Sequence, residues 1–290
     1  MDGDLISSDN IPAQPVRVDV HAPDSLTLKV SGDIRSTLMS GSTFVMQVAH
    51  PQVGAGVGQL SNFRNDPWHR LQEINQSGER FMFSGREAGI AEGKRLRELH
   101  RNIKGVDADG NAFHSLNPAV YGWVHTIFLD TMVTQCRLYD TALDRQEELQ
   151  LFEEWREMGR LFGLRDKDMP ATLDQYWRHY NEMIADTLEY NDVIETILTF
   201  TPPAPTSLAW LPQLAWSSVW SPAGKLNYQL TLAALPHAFR AKIAAHHPWN
   251  EQDEKHARRF QSFVKSLVPR LPERMRYTAA GYRATRPVTA

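Results

Sequence analysis

The groups best able to hold a metal or pass a proton in this 290-residue sequence are its eleven histidines. Three of them stand in apolar, helix-like surroundings: His50 in "QVAHP", His125 in "WVHTIFLD" and His100 in "KRLRELHRNIKG". Arg97 precedes His100 by three residues, so the two share one face of a helix. Basic residues crowd the end of that stretch and Gly105 follows, which reads as a helix C-terminus. A buried imidazole must satisfy both ring nitrogens. Two arrangements do so. One is a hydrogen bond inside a core. The other is coordination of haem iron, with arginines neutralising the propionates and apolar side chains covering the porphyrin faces. Composition and spacing leave both open.

Other chemistries fit less well. Glu-x-x-His pairs, as a di-iron helical bundle needs, are absent, and so is His-Glu-x-x-His. No Gly-x-Ser-x-Gly marks a hydrolase elbow. "GAGVG", from Gly54 to Gly58, lacks the third glycine of a dinucleotide fingerprint and has no strand before it, so close helix packing accounts for it. The single cysteine, Cys136 in "TMVTQCRLY", reads as a small core residue and excludes an internal disulfide.

The elements that must position these residues read as helical almost throughout. Residues 1–28 form an expected flexible arm with an extended piece at "VRVDV", and residues 29–290 one helical domain. The expected fold class is all-α, with ten or so helices around one core and a buried haem pocket. "DPWHRLQEINQSGERFMF" opens with Asp66 as N-cap and Pro67 at the first helical position. "GVDADGNAFHSLNP" reads as a turn-rich connector, and "PAVYGWVHTIFLDTMVTQCRLY" as the central apolar helix. "TLDQYWRHYNEMIADTLEYNDVIETILTF" reads as a single helix, and "TPPAPTSLAWLPQLAWSSVWSP" as an interruption. A charged content of 22 % and a net charge of -3 give no reason to expect a nucleic-acid partner. No run approaches the length of a membrane span, and the lone cysteine fits a reducing compartment, so a cytoplasmic location is expected.

Four motifs in order carry a resemblance: "QVAHPQVGAGVGQLSNFRNDPWHRL", "RELHRNIKGVDADGNAFHSLNP", "WVHTIFLDT" and "WREMGRLFGLRDKDMP". The sequence resembles the family of rubber oxygenases (latex clearing proteins) and the fungal oxygenase of mycophenolic acid biosynthesis. The likeness is densest between Gln47 and Thr131. It implies a mostly helical fold with one non-covalent haem b, held by the histidine of an Arg-x-x-His motif. In this sequence that iron ligand is His100, with Arg97 beside it. The arginine of the family's Arg-Leu-x-x-Thr pattern falls on Arg70. Arg70 and His125 are the expected catalytic residues, and Arg70 also a haem contact. The pattern is broken further on, with Ile74 in the threonine position and Glu73 where relatives carry a lysine. Phe113 stands where a tyrosine is common.

The expected function is a haem-dependent oxidoreductase, an oxygenase using O₂ or a peroxide on a small apolar or aromatic molecule. Two alternatives are a haem-binding sensor without turnover, which the changes at Glu73 and Ile74 favour, and a helical interaction module whose histidines are only core.

Overall fold

A computed structural model of the chain describes residues 18–286 apart from Ala209. The fold is all-α, with fourteen α-helices among the described residues. Helix α1 (Leu26–Gly32) leads through a 3₁₀ segment into α2 (Ser40–Val48) and α3 (Pro51–Leu60). A helical hairpin follows, α4 (Pro67–Met82) and α5 (Arg86–His100). The long helix α6 (Pro118–Tyr139) pairs with α7 (Arg145–Phe162), after which come α8 (Leu173–Glu182), α9 (Asp192–Thr199) and α10 (Gln213–Ala234). Helices α11 (His237–Lys242), α12 (Glu251–Leu267), α13 (Glu273–Arg276) and α14 (Ala279–Ala284) complete the fold.

Helix α6 is apolar on nearly every side, and it lies in the middle of the core as such a helix must. Trp123, Ile127 and Leu129 on it are at most 1 % exposed. They pack with Val45 and Met46 of α2, Trp155 of α7 and Tyr176 of α8. The glycines of α3 serve close packing. A Cβ on Gly54 would fall 2.6 Å from the Val48 carbonyl oxygen and 2.8 Å from Asn191 Nδ2, and one on Gly58 would lie 3.1 Å from Val193 of α9.

Several elements differ from their sequence pattern. Residues 107–111 of the connector make a tight turn closing a two-stranded antiparallel hairpin, β1 (Lys104–Val106) and β2 (Ala112–His114), with Gly105 opposite Phe113. Asp107 accepts the backbone N–H groups of Asp109 and Asn111, and Gly110 supplies a φ of +86°. The stretch expected as one helix from residue 172 to 200 breaks after a π turn at Met183–Thr187. Asn191 restarts it by capping Val193 and Ile194, while its amide bonds the Val48 carbonyl at 2.8 Å. Helix α10 begins inside the expected interruption and runs through Pro222. The expectation for residues 1–17 lies outside the described residues. The rest of the expected arm is ordered and packed, with Val20 and Leu28 buried. Its anchor is Glu154 of α7, whose carboxylate accepts Ser25 Oγ and the N–H groups of Leu26 and Thr27 at the start of α1.

Candidate functional site

The α4–α5 hairpin sets the position of His100. Asp66 caps α4 by accepting the His69 N–H at 3.2 Å, and Pro67 starts the helix. The chain reverses at Gly85, whose φ of +87° suits glycine. Between the two helices lies the Glu92 carboxylate of α5, with a side chain only 2 % exposed. It accepts Ser77 Oγ at 2.5 Å and Arg80 Nε at 2.9 Å from α4, and Arg95 Nε and Nη2 at 2.8 and 2.6 Å from its own helix. Arg95 first, with Arg80 and Ser77 adding to it, holds this carboxyl at about 2, against the opposing effect of burial.

His100 lies at the open end of the hairpin. Its Nδ1 is 2.7 Å from the Leu96 carbonyl oxygen, one turn back on α5. Nδ1 is therefore the protonated nitrogen, and Nε2 carries the lone pair. No hydrogen bond reaches Nε2 among the described residues. Burial lowers the proton affinity of this imidazole below the ordinary histidine value, and the charges of Arg70 on α4 and Arg95 lower it further, against the Leu96 bond. The ring is neutral at pH 7 as a result. Tyr121 of α6 packs edge-on against it, with centroids 6.0 Å apart. Ser115 Oγ donates to the His100 carbonyl at 2.8 Å and holds the helix end.

Arg97 shares the helix but is engaged elsewhere. Its Nη1 donates to the Leu161 carbonyl at 3.1 Å, satisfying the last turn of α7. Gly163 caps α7 in the left-handed conformation, and a Cβ there would fall 2.7 Å from Arg97 Nη1. The Arg97 charge is still felt at the Tyr121 phenol, which burial pushes up to about 12. Arg70 donates to Glu73 Oε2 at 3.1 Å, with both side chains partly in solvent. Glu73 is thus held along α4 by Arg70, and Ile74 is half-buried on the same helix.

His125 is placed apart from this group. No hydrogen bond or ring contact joins it to His100 among the described residues. It is 2 % exposed, its Nε2 lies 2.9 Å from the Trp155 carbonyl oxygen, and its ring stacks on Trp155 at 4.6 Å. The Trp155 indole N–H returns the bond to the His125 carbonyl at 2.9 Å. Burial lowers its pKa to about 3, and Nδ1 is buried without a partner. His50 caps α3, accepting the Gln52 N–H, as its place before Pro51 implies.

The structure therefore brings together His100, Arg70, Arg95 and Tyr121, with Arg97 at the edge. Arg95, Glu92 and Tyr121 were not among the sequence candidates. A serine and an arginine at i and i+3 on one helix, with a glutamate and an arginine at i and i+3 on the next, were the available signal.

Fold and site define a class of protein: an all-α domain that presents one neutral imidazole, with a free ring nitrogen, among arginines at the mouth of a helical hairpin. Residues 28–266 match the family model described as "ER-bound oxygenase mpaB/B'/Rubber oxygenase, catalytic domain". The chain belongs to that family of oxygenases. Neither the curated proteins nor the solved structures contain a match to it. No helix among the described residues is long and apolar enough to cross a membrane.

Proposed function

We propose that this protein is a haem b-dependent oxygenase that acts with O₂ or a peroxide on a small apolar or aromatic molecule. The observation that carries this reading is the state of His100. Its Nδ1 is bound to the Leu96 carbonyl and its Nε2 makes no hydrogen bond among the described residues. Metal-ligating histidines are oriented in this way, by a carbonyl that fixes the tautomer and turns the other nitrogen outward.

The other residues present also fit the group. Among the described residues, no three His, Cys, Asp or Glu side chains converge as a bare metal ion requires. One imidazole suffices where a macrocycle supplies the remaining ligands. Arg70 and Arg95 are close enough to His100 to act on its charge, and they suit the propionates of a bound porphyrin. Tyr121 gives the imidazole an aromatic neighbour that limits its rotation. When bound, the haem supplies the redox chemistry; the chain supplies the ligand, the cationic contacts and an apolar surround. Helix α3 offers part of that surround, since half-buried Val53 and Val57 lie on it and it packs on the β-hairpin that follows His100.

Titration of the purified protein with hemin tests the reading. The wild type takes up one equivalent and develops a Soret band. His100→Ala loses this uptake while keeping its circular dichroism, because α5 rests on its packing and not on the imidazole. His125→Ala keeps it. A wild type that binds no hemin, or a loss confined to His125→Ala, would overturn the assignment.

A further inference from the structure

The core of this protein holds a run of oxidisable rings that the proposed site does not use. His125 lies one turn beyond Tyr121 on α6 and stacks on Trp155. From Trp155 the rings continue to Tyr176 at 5.1 Å, and from Tyr176 to Trp177 at 4.9 Å. Tyr180 completes the group, 5.6 Å from Trp177 and 6.3 Å from Tyr176. Trp155 is fully buried, whereas Trp177 is only partly buried, so the run leads from the interior toward the surface.

The two tyrosines differ in what they can do with a proton. The Tyr176 hydroxyl donates to the Thr126 carbonyl at 2.7 Å and accepts the Asp130 N–H at 3.1 Å. A carbonyl is too weak a base to take a phenol proton. The Tyr180 hydroxyl is buried, and the side chain that acts on it is the Asp130 carboxyl. A buried hydroxyl needs such a partner. Burial pushes the Asp130 carboxyl up to about 6, so it is mostly ionised at pH 7 and a better base than an ordinary aspartate.

We propose that Tyr180, Trp177 and Asp130 form an outlet for oxidising equivalents. Tyr180 gives one electron to a one-electron oxidant generated at the oxygenase site, and its O–H proton passes to the Asp130 carboxylate. The oxidant is reduced by one electron, and a neutral tyrosyl radical faces a carboxylic acid. Trp177 then gives an electron to the radical, which takes its proton back from Asp130. The oxidised Trp177 takes one electron at the surface from a small thiol, which releases its proton to water and leaves as a thiyl radical that a second thiyl radical closes to a disulfide. A turnover that fails to reach substrate would be discharged in this way without damage near His100. The inference rests on reading that site as an oxidising one.

Freeze-quench electron paramagnetic resonance tests it in two arms. In the first, photogenerated ruthenium(III) tris-bipyridine oxidises the haem-free protein. A tyrosyl signal is expected in the wild type and in Tyr176→Phe, and its loss in Tyr180→Phe and in Asp130→Asn. A signal that survives Tyr180→Phe overturns the proposal. So does full signal in Asp130→Asn. Tyr180→Phe removes only the hydroxyl and keeps the ring and its packing, so it decides the matter even if Asp130→Asn fails to fold. In the second arm, hemin-loaded protein meets hydrogen peroxide, and the same tyrosyl signal is expected. A signal in the first arm alone, with no hemin uptake, removes the haem reading and leaves the outlet standing.

Discussion

Replacing Glu92 by Gln tests the bracket that holds α4 against α5. The charge goes, but the shape and one acceptor oxygen remain. The Glu92 carboxyl sits at about 2 in place of its ordinary 4.5, and each unit of such a shift is worth about 1.4 kcal/mol. The full shift would be about 3 kcal/mol, but Arg80 and Arg95 have side chains 45 % and 48 % exposed, and solvent screening reduces this to about 1–2 kcal/mol. The sign follows from linkage. A carboxyl depressed in the folded state stabilises fully above its unfolded pKa of 4.5, and that stability is lost as pH falls through about 2. Urea unfolding followed by circular dichroism should therefore show Glu92→Gln about 1–2 kcal/mol less stable at neutral pH. The gap should shrink as pH falls below 4.5 and close near 2. An equal deficit at neutral and acid pH would mean that packing is responsible, not charge, and the electrostatic account of the hairpin would fail.

Two other perturbations are expected to act on the frame of the site. Gly93→Ala places a Cβ 2.2 Å from the Leu161 carbonyl oxygen, a backbone atom that cannot swing away. The α5–α7 contact must open, at a cost of about 1–3 kcal/mol, and thermal unfolding should fall by several degrees. An unchanged melting temperature would show that the two helices separate freely. His125 has a folded pKa of about 3 against 6.5 unfolded, through burial. The unfolded chain therefore binds the proton first, and stability should decline as pH falls from 6.5 toward 3. His125→Phe should remove that part of the acid sensitivity in urea titrations across this range. Identical pH profiles for the two proteins would show that the imidazole is not held neutral by the core.

The all-α class was legible because helices advertise themselves locally. Asp66-Pro67 at the start of α4 and the uniformly apolar α6 each carry their signal within a few residues. His50 before Pro51 was equally readable as an end-of-helix group. The hairpin at residues 104–114 had its mark, Asp109-Gly110, but strands of three residues are too short to show a period of two. The break before Asn191 has one local mark, Asn191 as N-cap of α9, but the bond that seats it, its amide on Val48, is tertiary and has no local pattern. The same limit applied at the site. Arg97 and His100 share a helical face in the sequence, yet the Leu161 carbonyl near the end of α7 draws Arg97 aside, where Gly163 leaves it room. Glu92 is marked in the sequence only by its spacing from Arg95, because the docking of α4 is what brings Ser77 and Arg80 onto it.

Helix α1 carries a consequence for how the chain must fold. Its first turn is capped by Glu154, halfway along the sequence. Its last residue, Gly32, meets Gly281 of α14 so closely that a Cβ on Gly281 would lie 2.4 Å from the Gly32 Cα, and Thr278 N–H bonds the Gly32 carbonyl at 2.8 Å. On a ribosome, α1 is therefore made long before it can be finished. Its start gains Glu154 first, and its Gly32 end waits without a partner until residues near 281 emerge, which leaves a nascent apolar segment partly exposed in the meantime. A chain cut at residue 266, where the family match stops, would contain every residue of the candidate site and would still leave the Gly32 end of α1 without Gly281 and Thr278.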